Sequence, residues 1–110
     1  MTTNSNPRYN LEQAQQLARA GQYTETKKST AWLRNHGYDA GIAKRVFLKM
    51  KDTEFCQSLP PTREGGSWAD VYRTNYDIEE ISGEFYVKFV LEDDCAVVVL
   101  MSCKEWGYSW

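Results

Sequence analysis

The 110-residue chain is poor in the residues that mark many enzyme classes: it has one histidine, three cysteines and three prolines. His36 has no CxxC or CxxxC beside it, so there is no zinc constellation. Three cysteines cannot all pair. Cys95 and Cys103 lie eight residues apart on what reads as one strand, too far along its axis to bridge, and Cys56 is alone. No apolar run approaches the ~20 residues of a membrane-crossing helix, and the polar start Met1–Arg8 has no apolar core of a signal peptide. Catalytic triads, phosphate loops, HExxH and dinucleotide fingerprints are also missing. At 42% hydrophobic residues the chain is too apolar for disorder, and its length suits one domain. The expectation is a reduced, soluble, cytoplasmic domain that needs no metal and no cofactor.

What the chain does have is unevenly placed. Residues 1–51 carry nine Lys/Arg against three Asp/Glu, whereas residues 52–110 carry four against twelve. Such a split fits a polyanion-binding face opposite an acidic one, or two halves that each solvate their own surface. Asn10, with Gln13 three residues on, predicts the cap of a helix over 11–20, closed by Gly21. Residues 22–28 read as a short strand or extended connection, and Ser29 as the cap of a second helix ended by His36-Gly37. Asp39 opens the strongest helix, with Ile42, Val46 and Met50 on one face and Lys44, Arg45, Lys49 and Lys51 on the other. Asp52 is expected to cap one or two further helical turns over 53–58, stopped by Leu59-Pro60-Pro61. Strands follow at 68–73, 84–91 and 95–103, the last apolar on both faces and so interior to a sheet. Helices before a meander of strands predict an α+β fold, with N-terminal helices on one face of a mostly antiparallel sheet. Residues 1–9 are expected to form a flexible tail, 10–106 the single domain, and 107–110 a second tail.

The remaining polar side chains at strand positions are Tyr72, Arg73, Tyr86, Lys88 and Lys104. They suit metal-free cleavage of RNA, in which the ribose 2′-hydroxyl attacks its own phosphate. A protein must then take one proton, give another, and stabilise charge on the phosphorane; Lys and Arg neutralise that charge, and Tyr or Lys moves protons if its pKa is tuned. Each residue also has an ordinary role: Tyr86 and Lys88 as surface groups, Lys104 as a strand-edge charge, and Arg73 as a partner of Asp70 or Glu84.

In order along the chain stand Ala20-Gly21-Gln22, the start of the second helix at Ser29, and Gly37-Tyr38-Asp39. Asp52-Thr53-Glu54-Phe55-Cys56-Gln57-Ser58-Leu59 and Trp68-Ala69-Asp70-Val71-Tyr72-Arg73 follow, then Gly83-Glu84-Phe85-Tyr86-Val87-Lys88 and Ser102-Cys103-Lys104-Glu105. This series, over about residues 9 to 105, resembles the MqsR family of type II toxin–antitoxin toxins, which are mRNA endoribonucleases of RelE-like fold. The resemblance implies a cognate antitoxin as partner, single-stranded mRNA as substrate, and catalytic positions at Tyr86 and Lys104. Gln57 stands where the family usually has Lys, and Ala69 where it usually has Gln. Gln57 still donates a hydrogen bond to phosphate but carries no charge, and Ala69 does neither. The site set is therefore Tyr86, Lys104 and Gln57 for catalysis, with Arg73, Lys88 and Tyr72 for RNA binding. The competing readings are a toxin-fold protein that has lost cleavage and serves as an RNA- or protein-binding module, and a structural interaction domain.

One phosphate can be shared only if Tyr86 and Lys104 lie on the same sheet face. A two-residue turn at Asp93-Asp94 would separate them. An odd-length loop such as 92–94, or a bulge of equal effect, unites Tyr86, Lys88, Ser102 and Lys104. It would then set Phe85, Val87, Phe89 and Leu91 with Val97, Val99 and Met101 on the core face. Because the sequence offers no cluster of ligands at metal spacing, RNA cleavage by this protein is expected to survive excess EDTA. Loss of cleavage on chelation, restored by magnesium, would sink that mechanism.

Overall fold

The first helix begins where its cap sits. In the computed structural model, which describes residues 6–39, 41–61, 64–78, 81–92 and 96–105, the Asn10 side chain accepts the Gln13 amide and α1 runs Leu11–Arg19. Gly21 follows at φ +88°, a conformation that glycine adopts without strain. The order then continues with β1 (Tyr23–Glu25), α2 (Lys27–Asn35), α3 (Ile42–Lys49), a 3-10 turn (Asp52–Glu54), β2 (Phe55–Leu59), β3 (Ala69–Ile78), β4 (Ile81–Glu92) and β5 (Val97–Glu105). The sheet order is β1-β5-β4-β3-β2, antiparallel throughout except that β1 runs parallel to β5. Leu11, Ala14 and Ala18 of α1, Trp32 and Leu33 of α2, and Ile42, Val46 and Phe47 of α3 bury themselves on one sheet face, against Tyr72, Tyr76, Phe85, Val87, Phe89 and Leu91. Phe47 and Phe89 meet edge to face at 5.0 Å. This is the expected α+β architecture, consistent with a RelE-like fold.

Three local expectations are corrected. Thr26, not Ser29, caps α2: its hydroxyl oxygen accepts the Ser29 amide. Asp39 does not cap α3, which starts at Ile42 behind Gly41 with no side-chain cap. The helical turns expected over 53–58 shrink to the single turn at 52–54, and residues 55–59 form an edge strand instead. Tertiary partners override local preference here. The Glu54 carboxylate accepts the Thr74 hydroxyl at 2.7 Å and the Asn75 amide at 2.8 Å, drawing the chain onto β3, where Phe55 packs on Tyr72.

Register decides which side chains share a face. Glu92 opposes Val97 and Phe89 opposes Leu100; the ladder then shifts, so that Lys88 opposes Ser102 and Tyr86 opposes Lys104. Met101 is the extra residue of a β-bulge. Of the expected three-residue loop 92–94, residues 93 and 94 lie outside the described residues. Four residues separate the paired Glu92 and Val97, an even number, so the core face of β5 is Val98, Leu100 and Cys103 rather than Val97, Val99 and Met101. The bulge restores the parity, and Tyr86 and Lys104 share the open face. Thr26 locks the bulge: its amide donates to the Leu100 carbonyl at 3.0 Å and its hydroxyl to the Met101 carbonyl at 3.1 Å.

At the other end of the sheet Asp70 is wholly buried, and its carboxylate accepts the amides of Arg8 and Tyr9 at 2.9–3.0 Å. The Tyr9 hydroxyl donates to the Trp68 carbonyl, and the Arg8 guanidinium lies 4.4 Å above the Trp68 ring. Two amides thus depend on one carboxylate. Asp70→Ala is expected to destabilise the fold by about 2–3 kcal/mol, and Asp70→Asn, which keeps one acceptor, by less. Urea unfolding midpoints test this; an unchanged midpoint for Asp70→Ala would show that the buried carboxylate contributes nothing.

Candidate active site

Alternate residues of β3, β4 and β5 rise from the face that the helices leave open. Two rows cross it. In one, Arg73, Tyr86 and Lys104 stand side by side; in the next, Gln57, Val71, Lys88 and Ser102 do. A second bulge, at Cys56, gives Gln57 its place opposite Val71. Five of the six expected site residues therefore share one sheet face. Tyr72 does not. It alternates with Arg73, so it turns into the core, where it is 0% exposed and stacks on Phe89 with its hydroxyl buried and unpartnered. The Tyr72 side chain, expected to bind RNA, therefore lies away from the open face.

The rows rim an open depression of about 330 Å³, lined by Thr26, Lys28, Tyr86, Lys88, Met101, Ser102 and Lys104. Lys104 is 7% exposed, and its Nζ lies 5.2 Å from the centroid of the Tyr86 ring. Desolvation, then the charges of Lys28 and Lys88, lower the pKa of the Lys104 ammonium. Lys88 is lowered in the same way by burial and by Lys28. Burial raises the Tyr86 phenol, with a smaller contribution from Cys56, so that it holds its proton. Arg73 stands beside the depression but is engaged: its guanidinium donates two hydrogen bonds to Glu84, at 2.5 and 3.0 Å, with both side chains nearly half exposed. Ala69 helps line a neighbouring hollow with Pro60, Pro61, Val90 and Glu92, which shares Lys88 and Met101 with the first.

This arrangement has the chemistry of an anion site. Several lysines crowd a partly dry surface, where Lys88 and Lys104 are made less basic, beside a phenol that keeps its proton and can donate it in a hydrogen bond. The family description "Motility quorum-sensing regulator, toxin of MqsA" matches residues 6–105. The chain belongs to the MqsR toxin family. No curated protein is significantly similar to it. Membership in the MqsR family makes the chain a toxin of a toxin–antitoxin system by kind and implies an antitoxin as its partner. None of the helices in the described residues is long and apolar enough to cross a membrane.

Lys28 is not among the residues to which the sequence points. With Ser29 taken as the cap, Lys28 falls outside the helix; with Thr26 as the cap, Lys27 and Lys28 fall in its first turn, which itself holds no acidic residue. That turn lies at the positive end of the helix dipole, where cations are disfavoured, and this is the signal that could have singled Lys28 out.

Burying an ammonium, and holding it beside like charges that separate in the unfolded chain, reduces stability. Lys104 has a lower pKa folded than unfolded, so its penalty is full at neutral pH and vanishes as pH rises towards 10.5. Lys104→Met is therefore expected to raise the urea midpoint at pH 7, with the advantage narrowing as pH approaches 10.5. A midpoint below that of the natural protein at pH 7 would contradict a net cost of holding Lys104 charged in the fold.

Proposed function

We propose that the protein is a metal-independent endoribonuclease toxin that cleaves single-stranded mRNA. The ribose 2′-hydroxyl attacks the adjacent phosphorus and expels the 5′-oxygen, leaving a 2′,3′-cyclic phosphate and a 5′-hydroxyl. Lys104 neutralises the phosphorane and, as ammonium, gives its proton to the departing oxygen. Lys88, made less basic by burial and by Lys28, is the group that takes the 2′ proton when in its amine form. Tyr86 donates a hydrogen bond to a non-bridging oxygen, the role its raised pKa suits. Gln57 and Arg73 flank the phosphate on the same face and hold the neighbouring nucleotides, with Arg73 exchanging Glu84 for RNA. The observation that carries the reading is the direct pairing of Tyr86 with Lys104 across β4 and β5 in a depression lined by lysines.

Induced expression is expected to arrest growth, and an antitoxin to relieve the arrest. Lys104→Ala should abolish arrest, and Tyr86→Phe should slow cleavage of purified RNA about 100- to 1,000-fold, in line with loss of one donor to a developing anion. Arrest without RNA cleavage, or cleavage unchanged in Lys104→Ala, overturns the mechanism. Absence of both arrest and cleavage, with RNA binding retained, favours a binding module in which neutral Gln57 and Ala69 have cost the site its activity.

A further inference from the structure

The basic groups expected at the site come from the sheet. One more comes from elsewhere. Thr26 and Lys28 line the depression together with Tyr86, Lys88 and Lys104, although they belong to the start of α2, about 60 residues or more away in sequence. Their position is fixed from both sides. The Thr26 side chain caps the helix through the Ser29 amide, and Thr26 also holds the carbonyls of Leu100 and Met101 at the bulge that brings Lys104 to the open face. Any shift of the first turn of α2 relative to β5 would break these bonds.

Two features indicate that Lys28 is there for a ligand. It carries charge into a depression that already holds Lys88 and Lys104, close enough to make both less basic. It also occupies the first turn of a nine-residue helix with no acidic residue in that turn, at the dipole end that repels a cation. Each placement opposes folding. A phosphate lying among the three lysines would turn both into attraction.

We propose that Lys28, reaching across from the start of α2, is a substrate-binding residue that contacts the RNA phosphate held by Lys88 and Lys104. Gln57, separated from Lys104 by two intervening strands, lends this site no charge, and Lys28 provides the third cation from the opposite side. The inference rests on the anion-site reading above and adds a residue to it. Glutamine at this exposed helical position keeps good helix propensity, so the fold is retained in Lys28→Gln.

The test uses binding rather than turnover. A mixed-sequence 2′-O-methyl RNA 20-mer, which lacks the attacking hydroxyl, is titrated against the natural protein, Lys28→Gln, Lys28→Arg and Lys104→Gln by fluorescence anisotropy. Lys28→Gln is expected to bind about five- to tenfold more weakly at low salt, with the slope of log affinity against log salt reduced by about one; Lys28→Arg should restore both. Its melting temperature should not fall, because a repelled charge has been removed. Equal affinity and salt slope in Lys28→Gln overturn the inference, and weakened binding in Lys104→Gln alone leaves the anion site standing without Lys28. No binding by the natural protein overturns both. Weakened binding by Lys28→Gln together with a lowered melting temperature also counts against the inference, since a structural role would produce it.

Discussion

Strand parity is the constraint on which the open face depends. Side chains of a strand alternate, so one residue gained or lost between β4 and β5 exchanges every group on one face for its neighbours. The even-numbered connection after Glu92 places Val98 and Leu100 in the core; continued without interruption, it would also have put Lys104 beneath the helices and Cys103 beside Tyr86. The extra residue at Met101 cancels that. The bulge needs its own hydrogen bonds, because it leaves strand carbonyls out of the ladder, and Thr26 satisfies them from outside the sheet. A hydroxyl at the beginning of a helix thus selects which face of a distant strand carries its lysine.

Much of this was legible from residue order alone. The helical stretches 11–20 and 42–50 announce themselves by apolar spacing, and the alternation of Phe85, Val87, Phe89 and Leu91 predicts both a strand and its buried face. The sharing of one face by Tyr86 and Lys104 was also deducible, since either an odd loop or a bulge achieves it. Which of the two occurs was not, because both give the same parity at the site and differ only in the half of β5 near the turn. The expected core set Val97, Val99 and Met101 fails for that reason. Residues 53–58 illustrate a different limit: Asp-Thr-Glu is an ordinary helix start, and what makes the next five residues a strand is a carboxylate bonding to β3, a partner some 20 residues away. Tyr72 and Lys28 mark the same limit at the site. Neighbours in sequence were grouped as neighbours in function, whereas a strand separates adjacent residues and a helix cap recruits a remote one.

The charge split along the sequence takes on a different meaning in three dimensions. Lys28 comes from the basic half, while Lys88 and Lys104 are two of the four cations of the acidic half. The depression gathers them on one surface while Glu84 occupies Arg73 at its border. A weak net charge of −2 therefore says little about polyanion binding; the local field depends on which cations the topology brings together.

The parallel pairing of β1 with β5 has a consequence for how the protein is made. Tyr23, Thr24 and Glu25 join Val98, Val99 and Leu100, so one edge of the sheet is built from chain segments about 75 residues apart. Contacts of such separation form late, after the loop-closure entropy between them has been overcome. During synthesis α1, α2 and α3 emerge first and cannot bury their apolar stripes until the sheet exists, and the first turn of α2 has no carbonyls at the bulge to hold. Until β5 is complete, a ribosome-bound nascent chain has helices without a floor and lysines without a common surface. The topology therefore delays the assembly of the toxin's basic face until almost the whole domain has been translated.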